Sequence, residues 1–295
     1  MFAILGILVV IGAIVGGYLM EHGNLLVLVQ PAELIIIGGA AIGTVLIGNP
    51  LPTIMLLLKG LGGIFKPSAF SKEFYLEHIK LLYEIFQSSR KFGMVKLEQD
   101  IEDPGKSPLF AKYPKFTKNH HALHFVCDTL RMYVSGGVSA IELDQMMELD
   151  MEVHHAGVHA PVNALSTVAD SLPGLGIVAA VLGVVITMGS IGGPPEEVGH
   201  KVAAALVGTF LGILLCYGFL GPMASSMSKI NETESQFYHF LRVGLAAFIR
   251  GASPILAVEF ARRAIPSAVR PTFKEMEDNC KKSAKESAPA EKSAA

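Results

Sequence analysis

The fold is decided by two apolar segments near the middle of the chain, Asp170-Ser-Leu-Pro-Gly-Leu-Gly-Ile-Val-Ala-Ala-Val-Leu-Gly-Val-Val-Ile-Thr-Met-Gly189 and Ala203-Ala-Ala-Leu-Val-Gly-Thr-Phe-Leu-Gly-Ile-Leu-Leu-Cys-Tyr-Gly-Phe-Leu-Gly-Pro222. Each can cross a bilayer, which takes about 20 mostly apolar residues. Between Ala179 and Tyr217 their only polar side chains are two threonines and one cysteine. The pair therefore has the composition of an ion-path wall that lacks its own ionisable group.

The composition extends this interpretation to the whole chain. Of its 295 residues, 51% are hydrophobic and only 17% are charged, and the mean hydropathy is +0.46. Soluble domains carry about 25% charged residues. The sequence therefore predicts an all-α polytopic membrane protein with four transmembrane helices, at roughly 2–20, 33–57, 170–190 and 202–222.

The basic residues predict the orientation of these spans. Residues 1–50 and 132–200 contain no Lys or Arg, whereas 12 of the 24 basic residues lie within 59–131 and 11 lie within 229–292. Basic loops stay in the cytoplasm. Both termini are therefore expected inside the cell, with only two short loops outside.

Five regions follow from the spans and the charges. We predict transmembrane helices 1 and 2 at 1–58, a cytoplasmic helical domain at 59–168, transmembrane helices 3 and 4 at 169–223, a cytoplasmic helical extension at 224–282 and a disordered tail at 283–295. The tail contains only Ala, Ser, Lys, Glu and Pro, a composition that does not support a core. The loop between spans 2 and 3 and the C-terminal segment together form the large cytoplasmic domain.

Helical periodicity is present throughout the cytoplasmic regions. A helix is predicted from Ser71 to about Arg90, with Gly93 as its stop signal, and another over 119–134. A third begins at Ser139, where Ser139-Ala-Ile-Glu142 fits a capping box. This third helix is expected to face its carboxylates outward and to pack through Ile141, Leu143, Met146, Met147 and Met151.

The last predicted helices follow Pro222. The chain is expected to stay helical to about residue 249, to break at 251–254 and to resume to Ala264.

The predicted spans lack an ionisable side chain near the midplane. Glu33, Asp170 and Lys201 all stand at the edges of spans. A proton-coupled carrier needs a carboxylate or histidine within the membrane. The chain is therefore expected to form one wall of a path whose carboxylate comes from a partner. Thr187 and Thr209 could orient water there, or each could bond back to its own helix.

Two prolines are candidates for coupling motion to the soluble part. A rise of about 1.5 Å per residue places Pro173 and Pro222 at similar depth, near the cytoplasmic boundary. Proline tends to kink a helix, so the pair could form one hinge plane. The alternative is that Pro173 only begins its helix and Pro222 only ends one.

Several stretches resemble the MotA family, the A-type stator subunits of the bacterial flagellar motor. Residues 170–183 are similar to the family's third span and residues 206–222 to its fourth. The segment Ser88-Ser-Arg-Lys-Phe-Gly-Met-Val-Lys-Leu-Glu-Gln-Asp-Ile-Glu-Asp-Pro104 resembles its charged cytoplasmic segment, and Ala257-Val-Glu-Phe-Ala-Arg-Arg-Ala264 also matches. The resemblance covers nearly the whole chain apart from the last dozen residues.

This resemblance implies a flagellar stator subunit in the bacterial inner membrane. In the family a homo-oligomeric ring of A subunits, expected here to be a pentamer, surrounds a dimer of MotB. The single transmembrane helix of MotB carries the proton-accepting aspartate. Ion flow turns the ring, which pushes on charged groups of the rotor protein FliG. Lipid is a further expected contact, and nucleic acid is not.

The same resemblance implies roles for individual residues. Arg90 and Glu98 would be the rotor-contacting charges, with Asp150 a weaker addition. Without the resemblance, Arg90 could merely interact with the dipole at its helix C-terminus, and Glu98 could merely be solvated.

The remaining implied roles concern the membrane. Pro173 and Pro222 would couple proton binding to movement. Thr209 would line the ion path, with Ala180 facing it. Sodium-driven relatives tend to have a threonine in place of Ala180, so protons are the expected ion.

Two other functions remain as alternatives. An ExbB- or TolQ-type subunit would use proton flow to drive an envelope protein, but those relatives usually have three spans. A structural membrane scaffold would have no ion path. No enzyme, cofactor or metal site is predicted, because the histidine pairs at i,i+4 spacing, His120/His124 and His155/His159, come with neither an H-E-x-x-H motif nor a cysteine pair.

Overall fold

A computed structural model describes residues 2–67, 69–189 and 191–286. Its helices are α1 (Phe2–Met20), α2 (Leu25–Leu28), α3 (Pro31–Gly48), α4 (Leu51–Gly63), α5 (Lys72–Phe92), α6 (Met94–Glu102), a 3-10 helix (Phe110–Lys112), α7 (Pro114–Lys118), α8 (His120–Ser135), α9 (Ala140–Met188), α10 (Pro195–Ile213), a π-helix (Leu214–Leu220), α11 (Gly221–Ile249), α12 (Pro254–Ala264) and α13 (Phe273–Glu286). These three ranges contain no strand, which confirms the all-α prediction.

The chain forms two compact units. The first consists of described residues within 1–67 and 156–231, and the second of described residues within 68–155 and 232–295. Helices α9 and α11 contribute residues to both. The predicted regions have boundaries at 58, 168, 223 and 282. These boundaries were placed at the membrane edge and at the start of the tail, and they stay predictions.

Four helical stretches of the described chain are long and apolar enough to cross a membrane, as predicted. They are Phe2–Met20, Leu25–Gly48, Ala140–Met188 and Pro195–Ile249. The predicted end of the second span at residue 57 is wrong, because α3 ends at Gly48. A residue before proline disfavours the α region, and Asn49 is extended (φ −135°, ψ 141°). Pro50 then precedes a separate helix, α4, rather than interrupting one.

The third and fourth spans belong to helices longer than predicted. The acidic helix and the third span are one continuous helix of 49 residues, α9, with Pro173 in its interior. Pro222 is the second residue of α11, the helix that directly follows the π-helix. Pro173 therefore does not begin a helix and Pro222 does not end one.

The second unit has an aromatic and aliphatic core around α5. The helix begins where predicted, after Ser71, whose hydroxyl caps it by accepting a hydrogen bond from the Phe74 amide (3.2 Å). The helix ends at Gly93, whose φ of 80° favours glycine. Its buried apolar residues are Tyr75, Ile79, Leu81, Leu82, Ile85 and Phe86. Helices α6, α12 and α13 pack against α5.

Four helical elements of this unit were not individually predicted, namely α6, the 3-10 helix, α7 and α13. The charged stretch that begins at Lys96 lies in α6, which buries Leu97 and Ile101 on one face. Helix α13 extends to Glu286, four residues into the predicted tail. The rest of that tail lies outside the described residues.

The predicted packing face of the acidic helix is correct only in part. Leu143 and Met147 are buried and Met151 is partly buried in the core, whereas Ile141 and Met146 are 67% and 49% exposed. The capping box is present, since the Glu142 carboxylate accepts from the Ser139 amide at 2.8 Å and the Ser139 hydroxyl accepts from the Glu142 amide at 3.2 Å.

Candidate ion path and rotor-contact surface

Helices α9 and α10 meet along a seam of small residues. A Cβ placed on Gly212 would lie 2.5 Å from the carbonyl oxygen of Leu172, and one on Gly176 would lie 2.8 Å from the carbonyl oxygen of Gly208. Small side chains are what allow membrane helices to approach this closely. The third and fourth spans are therefore in backbone contact, and larger residues would separate them.

The two residues implied for the ion path lie beside this seam. The Thr209 Cα would be 3.3 Å from a Cβ on Gly176, which precedes Ala180 by about one helical turn. Both Thr209 and Ala180 are half-buried, and the Thr209 hydroxyl makes no hydrogen bond within the described chain. The structure thus brings the two residues together, while their role in conduction stays a prediction.

The hydroxyl of Thr187, unlike that of Thr209, is hydrogen-bonded within the described chain. Its side chain is buried, and its hydroxyl donates to the Gly183 carbonyl at 2.8 Å. The local explanation, a bond back to its own helix, therefore accounts for Thr187.

The prediction that the two prolines share one depth is wrong. Leu172, next to Pro173, faces Gly212, and Pro222 lies ten residues beyond Gly212 along the fourth span. Ten helical residues rise about 15 Å. Instead, the segment around Pro222 packs at the level of Val162 and Leu165. The two prolines therefore act at separate levels of the helix pair.

Pro222 is associated with the π-helix that precedes it. Proline has no amide hydrogen and its ring clashes with the carbonyl four residues earlier. The wider turn of a π-helix relieves such a conflict, and the Gly221 amide accordingly donates to the Cys216 carbonyl, five residues back. The fourth span thus changes its helical pitch immediately before this proline.

Glu33 stands in the first turn of α3, at the edge of the second span as predicted, and is buried there. Its side chain is only 6% exposed, and a Cβ on Gly208 would lie 2.5 Å from its Oε2 atom and 3.2 Å from the Ala179 Cβ. Glu33 Oε2 has no hydrogen-bond partner among the described residues. Sequence periodicity could not show this, because the contact depends on how α3 packs against α9 and α10.

The rotor-contact surface predicted for the second unit surrounds the corner between α5 and α6. Arg90, in the last turn of α5, is exposed but not free. Its guanidinium donates to the carbonyls of Gly251 (2.8 Å) and Ala252 (3.3 Å) in the turn between α11 and α12. Arg90 therefore holds two segments of the unit together.

Glu98 is the exposed charge of the neighbouring helix. It makes no ion pair or hydrogen bond within the described chain. The opposite face of α6 is fixed by Asp100, which is buried and accepts from Ser107 (2.7 Å) and Lys96 (3.2 Å). A rigid helix thus presents Glu98 to solvent.

Asp150 is half-buried beside a histidine pair and less accessible than Glu98. The rings of His121 and His154 stack at 4.0 Å, and His154 Nε2 lies 3.8 Å from Glu234. Burial and the neighbouring His154 lower the pKa of His121, and Asp150 and Glu234 oppose that shift. The charge of Asp150 therefore influences His121 within the same unit.

One charge network was missed because its members are far apart in sequence. The Asp144 carboxylate accepts from Arg242 and Arg250, both at 2.8 Å, so it is not simply directed outward as predicted. These pairs join α9 to α11. Within the described ranges, no group of three or more His, Cys, Asp or Glu side chains could hold a metal ion.

Comparisons with known proteins identify the family. The model of the motility protein A N-terminal region matches residues 4–93, and the model of the MotA/TolQ/ExbB proton channel family matches residues 118–239. The motility protein A of Escherichia coli (strain K12) is 43% identical over 95% of this chain and 95% of its own length. The chain belongs to the motility protein A family. Chemotaxis protein LafT of Vibrio parahaemolyticus is 35% identical, over 92% of this chain and 96% of its own.

Solved structures show that the fold is shared. The chain matches the flagellar MotAB stator complex of Bacillus subtilis with a TM-score of 0.72 and 24% identity, over 90% of this chain and 96% of that one. It matches C. jejuni MotAB with a TM-score of 0.73 and 18% identity, over 90% and 95%. The chain is thus a multi-pass inner-membrane protein of a proton-channel family, and that family is not an enzyme class.

Proposed function

We propose that this chain combines with a MotB-type subunit to form a stator that conducts protons and turns the flagellar rotor. The two helices that carry Thr209 and Ala180 have no Asp or Glu over 171–195 and 198–231, and this absence of a carboxylate on α9 and α10 carries the proposal. The relatives of known structure are described as MotAB complexes, so a MotB-type dimer is the natural source of that group. Several copies of this chain, expected to be five, surround it.

Torque is transmitted through the corner between α5 and α6. Glu98 is the primary contact for charged groups of FliG, and Arg90 fixes the shape of that corner while exposing part of its own charge. Exposed ion pairs contribute only about 0–1 kcal/mol each. Such weak pairs can form and break as the rotor passes.

The same assembly requires a fixed orientation. The absence of Lys and Arg from 1–50 and 132–200 supports a topology with both termini and the second unit in the cytoplasm. Protons then enter from the side of the short loops and leave on the cytoplasmic side.

Restoration of swimming in a bacterium without stator genes tests the proposal. Co-expression of this chain with its MotB-type partner should restore motility. Pro173→Ala and Pro222→Ala should each abolish it while the protein stays at its normal level in the membrane fraction. Full motility in both variants would favour a scaffold without coupled motion.

A further inference from the structure

Glu33 has a carboxyl group to which the proposed ion path assigns no role. It is the only charged residue among the buried side chains of the described membrane unit, with 6% of its surface exposed. Its Oε2 atom has no hydrogen-bond partner in that part of the chain. Burying an unpaired carboxylate in hydrocarbon is costly, and ionisable groups there are usually functional.

The position of Glu33 connects it to the path. Its carboxylate touches Gly208 and lies near Ala179. Those residues directly precede Thr209 and Ala180, the two residues implied for the path. Gly208 is five residues into the apolar stretch that begins at Ala203, about 7 Å along the helix. Glu33 therefore lies inside the apolar layer, behind the seam between α9 and α10.

The residues around Glu33 indicate which cation would neutralise its carboxylate. No Lys or Arg occurs in 1–50, and no ion pair joins Glu33 to another described residue. The residues in contact from α9 and α10, Ala179 and Gly208, have no titratable group. A metal cation would need several oxygen ligands, and the described residues provide no such cluster. A proton needs only the carboxylate itself.

We propose that Glu33 is a proton-binding site of this chain, occupied on the outer half of the path before the proton reaches the partner's carboxylate. The inference rests on the proposed ion path. Glu33 takes a proton from water on the outer side and becomes a neutral carboxylic acid. It then passes that proton through water at Thr209 to the carboxylate of the MotB-type partner and returns to its anionic form. No other atom is exchanged.

Covalent labelling tests the binding site without a variant. Dicyclohexylcarbodiimide is an apolar reagent that adds to protonated carboxyl groups within membranes. In the full-length complex with its MotB-type partner, mass spectrometry should find the label on Glu33, and labelling should fall as the pH is raised. The exposed Glu21 should remain unlabelled. No label on Glu33 while the partner's carboxylate is labelled, or labelling unaffected by pH, would overturn the proposal.

Proton flux tests the role in transfer. Glu33→Gln keeps the size and hydrogen bonding of the side chain but cannot carry the proton, so flux into vesicles should fall at least about tenfold. Glu33→Asp should keep flux within about threefold of the wild type, and Glu21→Gln should leave it unchanged. Unaltered flux in Glu33→Gln would refute the transfer step.

The proposed function and the Glu33 proposal fail in different ways. If the wild-type complex carried no protons at all, the proposed function would fail. Labelling of Glu33 would still decide whether that residue binds a proton. If Glu33→Gln does not accumulate in the membrane, the labelling result on the wild-type protein decides alone.

Discussion

Arg90 and Glu98 differ in whether their side chains form hydrogen bonds with other described residues of the chain. The Arg90 guanidinium binds two backbone carbonyls of the turn at Gly251 and Ala252. Glu98 has no partner among the described residues. Replacing Arg90 therefore changes both a surface charge and the packing of the unit, whereas replacing Glu98 changes only a charge. Glu98 is the better probe of the rotor contact.

Charge reversal at Glu98 should impair torque without affecting assembly. Glu98→Lys should slow tethered-cell rotation at high load, while proton flux and membrane levels stay within about twofold of the wild type, because a surface charge adds little to stability. Gln99→Lys places a positive charge on the exposed neighbour and serves as the control. Normal rotation of Glu98→Lys at high load would remove Glu98 from the rotor contact.

His78 should make the second unit sensitive to acid. It is buried among Phe74, Phe116 and Phe237, and burial lowers the pKa of His78 from 6.5 to about 4. The unfolded chain therefore binds a proton that the folded unit excludes. The stabilisation is fully present above about pH 6.5 and is lost as the pH falls towards about 4, on the order of 3 kcal/mol in total.

Thermal unfolding of the full-length protein in detergent, followed by circular dichroism, measures this effect. His78→Leu should flatten the fall in melting temperature between about pH 6.5 and pH 4. The exposed His120 provides the control, and His120→Asn should leave that slope unchanged. Equal slopes in the wild type and His78→Leu would show that other groups cause the acid sensitivity.

At the scale of elements, the seam between α9 and α10 determines how the two central spans pack. Its contacts are between backbone atoms, as at Gly212 and the Leu172 carbonyl. The register of the seam also separates the levels of Pro173 and Pro222. Pro173 inside α9 and the π-helix beside Pro222 therefore lie at different levels of the two spans.

A single methyl group on the seam should disrupt this packing. In Gly212→Ala the new Cβ would lie 2.5 Å from the Leu172 carbonyl oxygen and 2.9 Å from the Gly176 Cα. Overpacking of this kind costs about 1–3 kcal/mol. Detergent-solubilised Gly212→Ala should melt at a lower temperature than the wild type.

Gly43→Ala is the matched control, since a Cβ there meets nothing within 4 Å in the chain. A melting temperature of Gly212→Ala equal to that of the wild type would contradict the close approach of α9 and α10.

Local signals in the sequence predicted where individual helices begin and end better than they predicted which residues those helices contact. The start of α5 at Ser71 and its stop at Gly93 depend on neighbouring residues only, and both are as predicted. Helix α6 was missed because its charged residues conceal the apolar pair Leu97 and Ile101, whose burial depends on distant partners. The position of Glu33 depends on the register of three helices, which periodicity along one helix does not contain.

At the scale of the whole molecule, the described chain has a membrane unit and a charged helical unit. The membrane unit supplies a wall with few polar groups, on which Thr209 is half-buried and unbonded. The second unit presents Glu98 on a helix fixed by the buried Asp100. The central claim is that the first unit conducts protons only together with a MotB-type partner.

Proton uptake into liposomes tests that claim most directly. Purified full-length chain and its MotB-type partner would be reconstituted together and separately, and internal acidification would be followed with a pH-sensitive dye under a proton gradient. The complex should conduct, and neither protein alone should do so. Replacing the membrane-embedded aspartate of the partner by asparagine should abolish uptake. Equal uptake by this chain alone, or by the complex with that asparagine, would contradict the account.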